Sequence, residues 1–131
     1  MHENRIYSIS EAKKAALRQY PEFAWTLIPA IESGWKFVPP AARGFDDLRG
    51  FRLWNDDWAD AVRIRSDRDV YGLRIDPDAM RVWYREGTLT EVMRGLLELP
   101  PPHDPRAPRL VIGHAPRPIP RVAQWPRAPW R

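Results

Sequence analysis

The chain has 131 residues, a formal net charge of +4, 15 prolines and no cysteine. Its length is sufficient for one domain with its own core, and the lack of cysteine excludes disulfides and thiolate chemistry. The first residues lack the apolar core of a signal peptide, and no run approaches the ~20 apolar residues of a membrane span. We therefore expect a cytoplasmic protein without membrane contact. Arginine outnumbers lysine by 18 to three, which indicates a GC-rich, bacterial genome.

Charge and proline divide the chain between Leu99 and Pro100. Residues 1–99 carry 15 lysines and arginines against 16 acidic residues, whereas residues 100–131 carry six arginines against one aspartate. Ten of the 15 prolines also lie in residues 100–131. The sequence therefore predicts a nearly neutral domain over residues 1–99 and a Pro/Arg-rich extension over residues 100–131.

Helical signals open the predicted domain. Ser8 and Glu11 have the spacing of a capping box, which predicts a helix over residues 9–20 that Pro21 ends. The next stretch, residues 22–31, fits either a buried helix or an irregular apolar strand, and both alternatives stay open.

Two short strands are predicted next, at residues 35–38 and 51–54, with a loop and a turn of helix over residues 41–50 between them. The acidic run over residues 56–60 has the Asp-Asp-x-x-Asp spacing of a magnesium-diphosphate site. Such a site needs several oxygen ligands that converge, and the chain has no second acidic motif. We therefore interpret the run as an acidic turn.

Three consecutive antiparallel strands are predicted between Ala61 and Arg85, because apolar residues alternate with polar ones and the breaks are rich in turn formers. Two-residue loops at residues 67–68 and 77–78 would fix the register. The apolar pairs predicted on one face are Val62 with Leu73, Ile64 with Tyr71, Leu73 with Val82, Ile75 with Met80, and Tyr71 with Tyr84.

The other face of this meander is the first candidate binding surface. Its predicted members are Arg63, Arg65, Arg74, Arg81, Trp83 and Arg85. In the predicted register Arg74 lies directly across from Arg81, and like charges in that position are unfavourable. Either the aspartates of the neighbouring turns relieve the repulsion, with guanidinium groups stacked on Trp83, or an anionic partner does.

The last helix is predicted over residues 89–98. Thr88 and Glu91 form its capping box, and its apolar residues repeat with helical spacing, so we expect it to pack on the apolar face of the meander. The predicted architecture is thus a small α+β domain. An antiparallel sheet of about four or five strands has one face covered by the helices at residues 9–20 and 89–98.

The extension repeats Pro-Arg units that favour an extended polyproline conformation. Residues 110–112 are apolar, and Val111 and Ile112 are β-branched, so we expect this segment to add to the sheet as a strand or to cross it as a strap. The second candidate binding surface lies further on, and its members are Arg117, Arg121, Trp125, Arg127 and Trp130. Four other tryptophans are assigned to the core or its rim, namely Trp25, Trp35, Trp54 and Trp58.

No motif in the sequence indicates a reaction. The three histidines lie near the N-terminus and in the extension, away from any predicted rigid element, and there is no glycine-rich phosphate loop. A small enzyme therefore ranks last among the three function classes that stay open, and we expect no cofactor and no metal site. The function hypothesis is a protein-interaction module, adaptor or regulatory, that binds an unknown protein through the arginine face or the extension. The alternative is a nucleic-acid binder in which the arginines of the extension and of the sheet face contact phosphates and Trp83 stacks on bases.

Overall fold

The computed structural model describes residue 11, residues 13–14, residue 18, residues 21–38 and residues 48–114. These residues form one six-stranded antiparallel sheet and two helices, which confirms the predicted α+β class. The sheet has more strands than the four or five predicted. Each strand pairs with the next strand in the sequence, so the meander extends over the whole described sheet.

The strands are β1 (Lys36–Val38), β2 (Leu48–Leu53), β3 (Ala59–Ser66), β4 (Asp69–Ile75), β5 (Met80–Gly87) and β6 (Gly113–His114). The helices are α1 (Ala24–Glu32) and α2 (Leu89–Glu98), and single 3-10 turns cover Pro21–Phe23 and Asn55–Asp57. The structure thus makes the undecided residues 22–31 helical.

Two predicted segments fall wholly or largely outside the described residues. Of the helix predicted over residues 9–20, the structure describes Glu11, Lys13, Lys14 and Arg18, all in helical conformation. The turn of helix predicted before β2 also lies outside the described residues, except that its last part, residues 48–50, is the beginning of that strand.

Helix α2 begins as predicted and packs on the sheet. The Thr88 hydroxyl accepts a hydrogen bond from the Glu91 backbone N–H at 3.2 Å, and the Glu91 carboxylate accepts one from the Thr88 backbone N–H at 3.0 Å. The bond from the Thr88 backbone N–H, and next a bond that the Thr88 hydroxyl donates to the same carboxylate at 3.1 Å, lower the pKa of Glu91. The apolar stripe of α2 contacts the sheet at Gly72, where an added Cβ would lie 2.7 Å from Leu96 Cδ1. Glycine is therefore what allows the helix to approach this strand so closely.

The predicted register between β3 and β4 is wrong by one residue. Ser66 pairs with Asp69 as expected, but a β-bulge between Ile64 and Ser66 then shifts the pairing. Ile64 lies opposite Val70 rather than Tyr71, and Val62 lies opposite Gly72 rather than Leu73. A shift of one residue moves a side chain to the other face of a sheet, so the residues that face α2 differ from those predicted.

The predicted register between β4 and β5 is also wrong. Leu73 lies opposite Tyr84 rather than Val82, and a second irregularity between Arg74 and Ile75 places Ile75 opposite Arg81. Four residues, Asp76–Ala79, separate the strands. The Asp76 N–H bonds the Met80 carbonyl at 2.9 Å, and Ala79 has a positive φ of 61°. The connection is therefore longer than the two-residue loop that the pairing arithmetic assumed.

Apolar residues occupy both faces of the sheet, not one as predicted. The helix face carries Val62, Ile64 and Val70, which pack with Leu27, Ile31, Trp35 and Leu48 and with the buried side of α2. The opposite face carries a second cluster of Ala59, Ala61, Leu73 and Ile75, bordered by Phe51, Leu53, Tyr71 and Tyr84. The two tyrosine rings of this border stack 6.0 Å apart, although the residues are not directly opposite.

Candidate interaction edge

The structure separates the predicted arginine face into three environments. Arg74 lies opposite Asp60 on β3 and Trp83 on β5, not opposite Arg81. Its side chain is completely buried, and so is that of Asp60. The like-charge repulsion expected between Arg74 and Arg81 is therefore absent, and an opposite charge from the neighbouring strand takes its place.

Four groups surround the buried guanidinium of Arg74. Its Nε and Nη2 donate to the two Asp60 carboxylate oxygens at 2.6 and 3.0 Å, and its Nη1 donates to the Pro100 carbonyl at 2.6 Å. The Trp54 indole N–H donates to Asp60 at 3.0 Å, and Arg52 stacks on the Trp54 ring at 4.2 Å. Burial lowers the pKa of Arg52, and Asp60 partly opposes that shift. This cluster fastens the chain after α2 to the sheet.

Trp83 and Arg85 lie on the helix face, beside α2. An added Cβ at Gly95 would lie 2.5 Å from Arg85 Nη1 and 2.9 Å from Trp83 Cζ2. The Arg85 guanidinium lies 5.3 Å from the centre of the Trp83 ring. Trp83 is half-buried against the main core, whereas Arg85 is exposed.

The remaining arginines of the predicted face lie elsewhere. Arg63 is half-buried opposite Tyr71, on the side of the second cluster. Arg65 is exposed in the bulge, and its guanidinium lies 4.0 Å from the Asp69 carboxylate. Arg81 lies at the sheet edge, half-buried. No single surface therefore contains all six predicted residues.

Among the described residues, the outer edge of β5 is paired only at its beginning. Strand β6 contacts it through two pairs, Met80 with His114 and Arg81 with Gly113. One further bond joins the Ile112 N–H to the Arg81 carbonyl at 2.7 Å. Beyond Arg81, the described chain supplies no strand to this side of β5, which runs on to Gly87.

Residues 100–114, which we call the strap, carry the chain from α2 to this edge. Consecutive turns begin the strap: the Asp104 N–H bonds the Pro101 carbonyl, and the Ala107 N–H bonds the Asp104 carbonyl. Pro102 and Ala107 are buried, so this part of the Pro/Arg-rich extension packs on the domain. The predicted edge pairing does occur, at residues 112–114 rather than at residues 110–112.

Three consecutive apolar side chains of the strap point into solvent beside the open edge. Leu110, Val111 and Ile112 are 80%, 44% and 51% exposed. The other large exposed hydrophobic residue of the described chain is Trp25 on α1, at 89%. Trp25 was assigned to the core or its rim, and that assignment is wrong. Exposed apolar residues that are contiguous mark interaction sites more often than isolated ones do.

Arg81 and Tyr84 form the polar part of this edge. The Arg81 guanidinium lies 4.6 Å from the centre of the Tyr84 ring, and Gly113 leaves the space that the guanidinium occupies. The Tyr84 hydroxyl donates to the Glu86 carboxylate at 2.6 Å. Burial, followed by this bond, raises the pKa of Tyr84 to about 12. The Arg81 Nε is buried and has no hydrogen-bond partner among the described residues.

Sequence reasoning missed Asp60 and Trp54, although a signal for Asp60 existed. Asp60 lies an even number of residues from Val62 and Ile64 on one strand, and Arg74 an even number from Val70 on the next, so alternation places each on the same face as those apolar residues. Both charged side chains are therefore expected on a buried face, and because buried charges require a partner, the two could have been predicted to pair.

Other predicted features receive no structural description or no support. The tail candidates Arg117, Arg121, Trp125, Arg127 and Trp130 lie outside the described residues. Within the described ranges, no group of three histidine, cysteine or acidic residues could hold a metal ion. The described helices include none long and apolar enough to cross a membrane.

Comparisons of the chain with protein-family models, curated proteins and solved structures gave no match.

Proposed function

We propose that the protein is a non-catalytic interaction module that binds an extended segment of a partner protein along the outer edge of β5. The observation that carries this proposal is the incomplete pairing of β5, whose outer side contacts β6 only at Met80 and Arg81. An unpaired strand edge presents backbone donors and acceptors that an incoming strand satisfies.

The exposed residues of the strap support the same edge. Leu110, Val111 and Ile112 are exposed just before the two residues that pair with β5, and a bound segment that covered them would remove apolar surface from water. Backbone bonds would then supply general affinity, and the side chains of the strap would add to it.

The arginine face of the sequence hypothesis does not carry the proposal. Arg74 is buried against Asp60, and Trp83 packs against the core beside α2. The nucleic-acid alternative used the sheet face together with the arginines of the extension. The burial of Arg74 and the packing of Trp83 give its sheet-face part no support, and the candidate arginines of the extension lie outside the described residues.

The proposal is tested by affinity capture from the native cell with the full-length protein as bait. The test variant replaces Leu110, Val111 and Ile112 together with serine, and the matched control is Trp25→Ser on α1. We expect the triple variant to lose the captured protein and the control to keep it. The complex is then purified, and its amide hydrogen exchange should show new protection at residues 82–86, because strand addition creates backbone hydrogen bonds there.

Two results would contradict this proposal. Capture that nuclease treatment abolishes would indicate a nucleic-acid binder. Capture that depends on Trp25, with no new protection along β5, would place the interaction surface on α1.

A further inference from the structure

The charges around the open edge indicate what kind of segment fits it. Arg81 makes no ion pair with any described acidic residue, and its buried Nε has no acceptor. A buried donor without an acceptor costs free energy that a ligand can recover by supplying one. A carboxylate is the acceptor that matches a guanidinium best.

The other arginines nearby each have an acidic neighbour. Arg85 and Arg109 are exposed; Glu91 lies close enough to Arg85, and Asp104 close enough to Arg109, for their charges to attract. The nearest acidic side chain on β5 is Glu86, and it already accepts a bond from Tyr84. Arg106 is paired with Asp104 at 3.1 Å. What distinguishes this edge is therefore Arg81, whose Nε is a buried donor without an acceptor among the described residues.

We propose that the edge selects an acidic extended peptide, with an aspartate or glutamate placed to meet Arg81. This inference rests on the proposed function and specifies its ligand. A second copy of this chain is the alternative occupant of the same edge, and the test below includes it as an outcome.

The experiment selects short random peptides, displayed on phage, on the immobilised full-length protein. Some selected peptides should bind the wild-type protein but not the variant with serine at Leu110, Val111 and Ile112. We expect acidic residues to be enriched in those peptides. One such peptide is then synthesised together with a matched peptide in which asparagine and glutamine replace the acids. We expect the neutral peptide to bind at least roughly tenfold more weakly, the usual size of a lost charge-assisted hydrogen bond.

Substitutions in the protein complete the test. Arg81→Gln should lower the affinity for the acidic peptide by roughly tenfold or more. Arg68→Gln, the same change at an exposed turn, should leave that affinity within about twofold of the wild-type value. If Arg81→Gln fails to fold, a salt titration of the wild-type complex replaces it. Affinity for the acidic peptide should then fall with added salt while affinity for the neutral peptide stays nearly constant.

The outcomes separate the two proposals. Binders that require the strap residues without acidic enrichment would overturn the ligand assignment and leave the proposed function standing. A complete absence of binders that require the strap residues would overturn both. Self-association in sedimentation experiments that the serine triple variant abolishes would make a second copy the occupant, and the acidic-peptide assignment would then be wrong.

Discussion

Arg74 and Asp60 form a completely buried, two-pronged ion pair between adjacent strands, with Nε 2.6 Å from Oδ1 and Nη2 3.0 Å from Oδ2. A third guanidinium nitrogen bonds the Pro100 carbonyl, 26 residues further along the chain. The pair therefore joins the centre of the sheet to the start of the strap. Its effect on stability depends on whether both partners are present.

Removing one member of this pair should be strongly destabilising. Asp60→Leu leaves the Arg74 charge buried without a counterion, and we expect the free energy of unfolding to fall by ~3–5 kcal/mol. The double replacement Asp60→Leu with Arg74→Met should lose less, because no buried charge remains. Urea unfolding of both variants measures the difference. A double variant less stable than the single one would show that the pair itself is net stabilising.

Truncating the centre of the α2 stripe should also be costly. Leu96 is 1% exposed, and Leu96→Ala should lower the free energy of unfolding by ~2–5 kcal/mol. Leu110→Ala is the matched control, since Leu110 is 80% exposed and its change should stay within about 0.5 kcal/mol. Equal effects of the two changes in urea unfolding would mean that α2 is not docked on the sheet.

A methyl group at Gly72 should overpack the same contact. The added Cβ would lie 2.7 Å from Leu96 Cδ1 and 2.8 Å from Val92 Cγ1, so Gly72→Ala should cost ~1–3 kcal/mol. Leu96→Ala removes the Leu96 clash and leaves that with Val92, so the loss in the double variant should be smaller than the sum of the single losses by ~0.5–3 kcal/mol. Strictly additive losses would show that the helix moves away from the strand instead.

The Tyr84 hydroxyl should ionise at strongly alkaline pH. Its folded pKa of about 12 lies above the usual tyrosine value of about 10. The folded state therefore holds this proton more tightly than the unfolded state does. The resulting stabilisation is complete below pH ~10 and is lost as the pH rises toward about 12.

Tyrosinate absorbance and unfolding measured across this alkaline range test the assignment. Tyr84→Phe should remove a tyrosine titration near pH ~12 and flatten the loss of stability between pH ~10 and ~12. An unchanged titration curve in that variant would show that another tyrosine carries the raised pKa.

Local sequence determined the elements whose signals are local. The capping box of Thr88 and Glu91, followed by an apolar stripe, was enough to predict α2, and the alternation between Ala61 and Arg85 was enough to predict three strands. These signals act within one turn of helix or along one strand, so the rest of the chain does not have to be known. The edge pairing of the strap was likewise expected from its β-branched residues, with a small error in position.

The binding surface could not be predicted, because it depends on how strands pair. One extra residue near Arg65 changes which side chains of neighbouring strands share a face. The alternation of apolar and polar residues along the strand does not show whether that bulge is present. The exposure of Trp25 depends on what packs around α1, which an apolar side chain does not reveal by its type.

The sequence by itself thus determined the fold class, helix α2 and the central strands, because propensity, capping and periodicity are short-range properties. The tertiary structure decided the registers, the second apolar cluster, the burial of Arg74 with Asp60, and the open edge beside Leu110, Val111 and Ile112. Each of these depends on contacts between residues distant in the chain. Such contacts form only when strands align, and loop length and bulges set that alignment.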